Sequence, residues 1–230
     1  KIFEQIIQEL LSVTDEFMNE ILIKMETKNI DYDPSQLFFL INTYVTYLVN
    51  HQIDIDLAYN LHTKYYPLVK KIPERAYSNK RDFMLTNFLY DVEYAAILLS
   101  LNNYNNNFSR VSKDQFLESI ETLKSYYPML NNWERSPEAF HHKEVFNFRL
   151  KMNKIISNLY STKEVDQDKD AEKYLLDNLE ICKKNNLSDY TLVNHLRNLG
   201  RFYILNLNDD KKVIQYLTQA LEIAKDHPII

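Results

Sequence analysis

Apolar residues recur at spacings of three and four along nearly the whole chain, the mark of helices that each bury one face. Residues 2–28 carry Phe3, Ile6, Ile7, Leu10, Leu11, Phe17, Ile21 and Met25 in this pattern. Asp33-Pro34 opens a second helix, since Asp caps and Pro suits a first turn that needs no donor; it carries Leu37, Leu40, Ile41, Tyr44, Val45 and Leu48. A third starts near Asp54 and ends about Tyr65-Tyr66-Pro67, and a long fourth runs from a Ser78 cap to about Asn103. Ser112 and Gln115 have the spacing of a capping box and open the fifth. Ser136-Pro137-Glu138 opens the sixth, which runs to about Tyr160, and further helices start near Asp168, Ser188 and Asn208. Connections are short, so successive helices are expected to lie antiparallel.

The expected fold is all-α: stacked antiparallel helix pairs forming a right-handed solenoid like that of tetratricopeptide repeats. Residues 1–230 are read as one domain, with a leading helix at 1–30, irregular pairs at 34–160 and a more regular part at 168–227. Tyr65-Tyr66-Pro67 followed by Glu74-Arg75 is echoed by Tyr126-Tyr127-Pro128 followed by Glu134-Arg135. The echo suggests an internal duplication or merely two helices ending alike.

Composition changes this picture mainly through glycine, of which the chain has one. Average usage is roughly 7%, or about sixteen in a chain of this length. Phosphate-cradling loops, dinucleotide-binding turns and tight hairpins all lean on glycine, so these are disfavoured. Net charge is −5, and no basic run exceeds Lys70-Lys71 or Lys183-Lys184, which argues against a nucleic-acid grip. The lone Cys182 sits in an apolar helical setting and is read as packing in a reducing compartment. With no membrane span or signal peptide in the pattern, a cytoplasmic location is expected.

Candidate chemistry is sparse. Neighbouring His141-His142 point about 100° apart on a helix and make poor joint ligands. Asp166, Asp168 and Asp170 alternate as at the start of a calcium loop, but Ala171 stands where glycine is required and Asp177 at the twelfth position. They are read, like Asp209-Asp210, as acidic helix starts. Neither a metal, a cofactor nor a catalytic group is expected.

One polar pattern invites a functional reading. In the helix after Ser188, Leu192, Val193, Leu196, Leu199 and Tyr203 take one side, while Thr191, Asn194, Asn198 and Arg201 take another. Upstream helices offer Asn42, Asn87, Arg149 and Asn153. An amide carries both a donor and an acceptor, which suits the backbone of an extended peptide in the concave groove that the first helix of each pair would line, and Arg149 or Arg201 suits a carboxylate. The competing reading is a set of solvated helix faces.

The last residues resemble a known repeat. Leu199-Gly200 and Tyr203, followed by Tyr216-Leu217 and Ala220-Leu221, look like the two helices of a tetratricopeptide repeat. The register needs one extra residue in the turn 206–210, and Leu217 stands where an aromatic is usual. With irregular pairs such as Leu40-Ile41-Asn42-Thr43-Tyr44 and Asp91-Val92-Glu93-Tyr94 upstream, the chain resembles the C-terminal domain of peptide-sensing transcriptional regulators of Gram-positive bacteria, the group of Rgg, PlcR and PrgX. That resemblance implies a homodimeric sensor domain that binds a short hydrophobic signalling peptide, with DNA bound only by an N-terminal domain outside this chain. The alternatives are a scaffold for folded protein partners and a helical enzyme that holds a lipid or isoprenoid.

Overall fold

The computed structural model describes Ser12, Glu16 and residues 35–104, 111–136 and 142–226. The leading helix expected at 2–28, the Asp33-Pro34 start, the Ser136-Pro137-Glu138 cap beyond Ser136, and His141 lie outside the described residues, apart from Ser12 and Glu16, both helical. Among the described residues every regular element is helical. The chain divides into two compact units, Lys1–Glu93 and Tyr94–Ile230, each treated by itself below.

In the first unit, α1 (Ser35–Asn50) packs on α2 (Ile55–Lys71), and α3 (Lys80–Tyr104) begins after a short 3-10 turn (Glu74–Ala76). The buried side chains of α1 are Phe38, Ile41, Val45, Leu48 and Val49, a three-four stripe. Ala58, Leu61, Tyr65 and Val69 are buried on α2, and Phe38 meets Tyr90 edge-on at 5.7 Å. Each such fully buried large apolar side chain contributes roughly 1.5–3 kcal/mol. Asp54 caps α2, its Oδ1 accepting from the Leu57 N–H at 2.8 Å.

Two expectations change here. α2 does not stop at Pro67 but runs through it to Lys71. Beyond Pro67 the last turn is held by the buried Val69 and by Lys70, whose Nζ lies 2.9 Å from the buried Asp91. The cap of α3 is Asn79 rather than Ser78, because Asn79 Oδ1 accepts from the Asp82 N–H at 2.9 Å.

The second unit contains the end of α3, then α4 (Lys113–Lys124), α5 (Tyr127–Arg135), α6 (His142–Tyr160), α7 (Asp168–Lys184), α8 (Asp189–Phe202) and α9 (Asp210–Asp226). The capping box at Ser112 and Gln115 is present, with both reciprocal hydrogen bonds. α5 was not expected. Pro128 lies in its first turn, so Tyr126-Tyr127-Pro128 starts a helix, whereas Pro67 sits inside one. α4 and α5 both pack on α6, α6 on α7, α7 on α8, and α8 on α9.

The shortage of glycine is met by other residues. Gln52, Asp166, Asn186 and Asn208 take positive φ among the described residues, the conformation that ends helices and reverses the chain. After α1 the Ile53 N–H donates back to the Leu48 carbonyl, and after α7 the Leu187 N–H to the Cys182 carbonyl. Between α8 and α9 the chain makes a π-helical turn, Tyr203–Leu207, before Asn208. A π turn takes up one more residue than an α turn.

Candidate functional site

The most structured polar region of the second unit surrounds α7. Pro128 fixes the first turn of α5 and so presents Tyr127 toward α6. The Tyr127 hydroxyl donates to Asn153 Oδ1 at 2.5 Å, and Asn153 Nδ2 donates to Asp177 Oδ2 at 2.8 Å. One turn earlier on α6, the Arg149 guanidinium lies over the Tyr127 ring, 5.7 Å from its centroid. Its Nε stands 2.7 Å from Glu134 Oε1 as an ion pair rather than an aligned hydrogen bond, and its Nη2 donates to Asn131 Oδ1. Burial, with Tyr174 and Asp177 nearby, pushes the Tyr127 phenol far above its ordinary range, so it remains a donor.

A second network ties the start of α7 to the α8–α9 connection. Glu172 Oε1 accepts from the Tyr203 hydroxyl and, at 2.8 Å, from Lys212 Nζ. Lys212 also lies over the Tyr203 ring at 4.6 Å, and Tyr216 stacks on Tyr203 at 5.6 Å. Burial alone would raise the Glu172 carboxyl, but these hydrogen bonds and the lysine charge outweigh it and hold the pKa below the ordinary value. Asn206 Nδ2 donates to Asp168 Oδ1 at 3.0 Å beside it.

Between these two anchors runs a groove of about 620 Å³ along the outer face of α7. Tyr127, Tyr174 and Leu176 give it apolar walls; Lys169 and Lys173 stand on either side of Glu172 toward one end, and Asp177 and Glu180 lie toward the other. Leu176 is 38% exposed, so it is open to a ligand. The groove combines apolar contact with charges of both signs. Among the described residues no group of three or more His, Cys, Asp or Glu side chains could hold a metal ion. Cys182 is buried away from solvent, and burial pushes its thiol up to about 11.

The residues singled out for peptide binding are placed unequally. Asn42 and Asn87 belong to the first unit. Asn42 is half-buried on α1 with its carbonyl oxygen enclosed and unpartnered, and Asn87 on α3 is nearly buried, its Nδ2 donating to the Phe83 carbonyl one turn back. In the second unit Arg149 and Asn153 are brought together behind Tyr127. Asn153 is 0% exposed with both ends of its amide engaged, so it positions its neighbours instead of meeting a ligand. Asn194 and Asn198 are half-buried on α8 and Arg201 is exposed on the same helix face.

Tyr127, Asp177, Glu172 and Lys212 were not among the candidates. Tyr127 was read as a helix end, and Asp177 was weighed only as a calcium-loop position. No helix among the described residues is long and apolar enough to cross a membrane. No protein-family model, curated protein or solved structure matches the chain.

Proposed function

We propose that this chain is a helical-repeat sensor module whose groove along α7 receives a short, largely apolar peptide in extended form. The observation that carries the reading is that groove itself: apolar walls, Lys169 and Lys173 around the already paired Glu172 at one end, Asp177 and Glu180 toward the other, and two anchoring networks already formed. Preformed sites of this kind bind without paying for loop ordering.

The dimensions set the ligand size. Lys169 and Glu180 are separated by roughly 16 Å along a helix rising about 1.5 Å per residue, the reach of about five extended residues at ~3.3 Å each. The peptide carboxylate belongs at Lys169 and Lys173, the Glu172 carboxylate between them being already paired with Lys212. Its amino terminus belongs at Glu180. Arg149 and Asn153 hold Tyr127 and Asp177 in place, and Asn194, Asn198 and Arg201 offer a further polar face on α8.

In the wider architecture, α6 with α7 and α8 with α9 are read as successive pairs of a right-handed, tetratricopeptide-like solenoid. The chain-order packing of these helices and the seating of Leu217 against Gly200 support that arrangement. Together with the resemblance of its last two helices to those of peptide-sensing regulators, the bound peptide is a signal. It would act by favouring one of two states of the protein, through differential affinity, and be passed to a DNA-binding unit elsewhere.

The test is titration calorimetry against a library of apolar pentapeptides with free and amidated C-termini. Micromolar binding is expected, weakened about tenfold by amidation, the loss of one charge-assisted contact. Silence across the library, or binding indifferent to Leu176→Glu, would overturn the reading.

A further inference from the structure

Two of the side chains that wall the α7 groove are tyrosines, and each has one ring face backed by the protein. Behind Tyr127 lies the Arg149 guanidinium, 5.7 Å from the ring centroid. Behind Tyr174 lies Tyr160, stacked at 5.9 Å with the ring planes 22° apart. Both groove tyrosines are half-buried. A ring has two faces, so with one of each committed to the protein, the other is the face left to the groove. The surface continues along α7 past Leu176 to Leu179, Lys183 and Lys184, and no aromatic side chain lines that stretch. Ring contact is therefore confined to one place.

These rings are also held. The Tyr127 hydroxyl donates to the buried Asn153, which fixes the far edge of its ring, and Arg149 is in turn paired with Glu134 at 2.7 Å. A ring fixed in advance loses little freedom when another packs on it. The guanidinium behind Tyr127 draws electron density to its own side, so the groove-side face better accepts an electron-rich ring. Offset and edge-to-face ring pairs attract beyond the area they bury. That gain belongs to an aromatic group and is not shared by an aliphatic one of equal size.

The place of this contact along the ligand follows from α7. Lys169 and Lys173, assigned to the peptide carboxylate, are centred near position 171; Tyr174 stands three positions further on, and Asp177, to which Asn153 ties Tyr127, six. At about 1.5 Å per residue the midpoint of the two rings lies ~7 Å from the carboxylate, about two residues of extended chain at ~3.3 Å each. We propose that the groove selects an aromatic side chain at the third residue from the peptide C-terminus, contacted by the groove-side faces of Tyr127 and Tyr174. This rests on the peptide reading of the groove and names the chemistry it selects.

The experiment is titration calorimetry on the whole chain with three free-acid peptides: Val-Leu-Phe-Leu-Val, the same peptide with cyclohexylalanine in place of Phe, and Val-Phe-Leu-Leu-Val. Cyclohexylalanine keeps the size and apolar character of Phe without its π system. The first peptide is expected to bind about tenfold more tightly than either of the others. Tyr174→Leu should remove the difference between the Phe and cyclohexylalanine peptides, and Tyr174→Phe should preserve it, with circular dichroism melts confirming that both variants are folded. The wild-type comparison decides the matter should Tyr174→Leu fail to fold. Equal affinity for Phe and cyclohexylalanine, a displaced ring that binds as well as the central one, or a preference that survives in folded Tyr174→Leu would overturn the inference and leave the peptide reading standing. Silence from all three peptides would overturn both.

Discussion

Gly200 on α8 and Leu217 on α9 touch so closely that a methyl group on Gly200 would stand 2.7 Å from Leu217 Cδ2 and 2.8 Å from its Cγ. The only glycine in the chain is therefore spent on helix approach, not on a turn. It occurs mid-helix, where glycine costs about 1 kcal/mol relative to alanine.

Gly200→Ala sets these two effects against each other. Helix propensity favours the alanine by about 1 kcal/mol, but contact with Cγ as well as a terminal methyl forces α9 outward, and overpacking typically costs 1–3 kcal/mol. A net loss of about 1 kcal/mol in urea unfolding is expected. In a Leu217→Ala background the obstacle is gone, and Gly200→Ala should become stabilising. Additivity between the two substitutions would show that the contact does not limit the approach.

The amide of Asn153 joins α5, α6 and α7 by bonding both Tyr127 and Asp177 while itself fully buried. Asn153→Leu strands a phenol and a carboxylate at once, and unsatisfied buried groups cost about 1–3 kcal/mol each, more when charged. A loss of roughly 3 kcal/mol is expected. Tyr127→Phe removes one bond and leaves Asn153 its second partner, so about 1 kcal/mol is expected. Equal effects from the two variants would show that Asn153 does not link the three helices.

Stability should fall in mild acid. His62 and His195 are buried, and burial lowers both to about 4, with the Lys154 charge adding to the effect at His195. At His62 the Tyr90 carbonyl and Asp91 oppose the shift without cancelling it. Between the ordinary histidine value near 6.5 and about 4, the unfolded chain binds protons that the folded chain refuses, so stability rises with pH across that window. It is complete above about 6.5 and is lost as pH falls toward 4. At pH 5 the loss is on the order of 2 kcal/mol per histidine. Unfolding midpoints measured from pH 7.5 to 4.5 check this, and His195→Leu should remove about half of the slope. A flat profile in the wild type would show that neither ring is held neutral by the fold.

These sites also mark where sequence reasoning reached and where it stopped. The helix starts at Asp54 and Ser188 and the capping box at Ser112 were legible because each depends on residues within one turn. The continuation of α2 through Pro67 was not, since the Lys70–Asp91 pair that holds its end spans 21 positions. Nor was the part played by Asn153, whose partners lie 26 positions before it and 24 after. Asparagine at three-four spacing looks the same whether it faces a ligand or closes a buried bridge. α5 was missed because a proline that ends one helix and a proline that begins the next read alike in the chain.

The groove along α7 makes its own demand on mutagenesis. Lys169 and Lys173 are exposed and stand at the end assigned to the peptide carboxylate, so replacing both by Glu reverses the local charge without disturbing the core. Affinity for a free-acid pentapeptide should drop by about 10- to 100-fold, the worth of one or two charge-assisted contacts, while the amidated peptide is nearly unaffected. Glu180→Lys should weaken peptides with a free amino terminus and spare acetylated ones. Because the two ends are read by different residues, a reversed-sequence peptide with the same composition offers the sharpest check: its charges still fit, but its side chains meet Leu176 and Tyr127 in the wrong order. Equal affinity for both directions would mean that the charges alone attract the ligand and that the apolar walls select nothing.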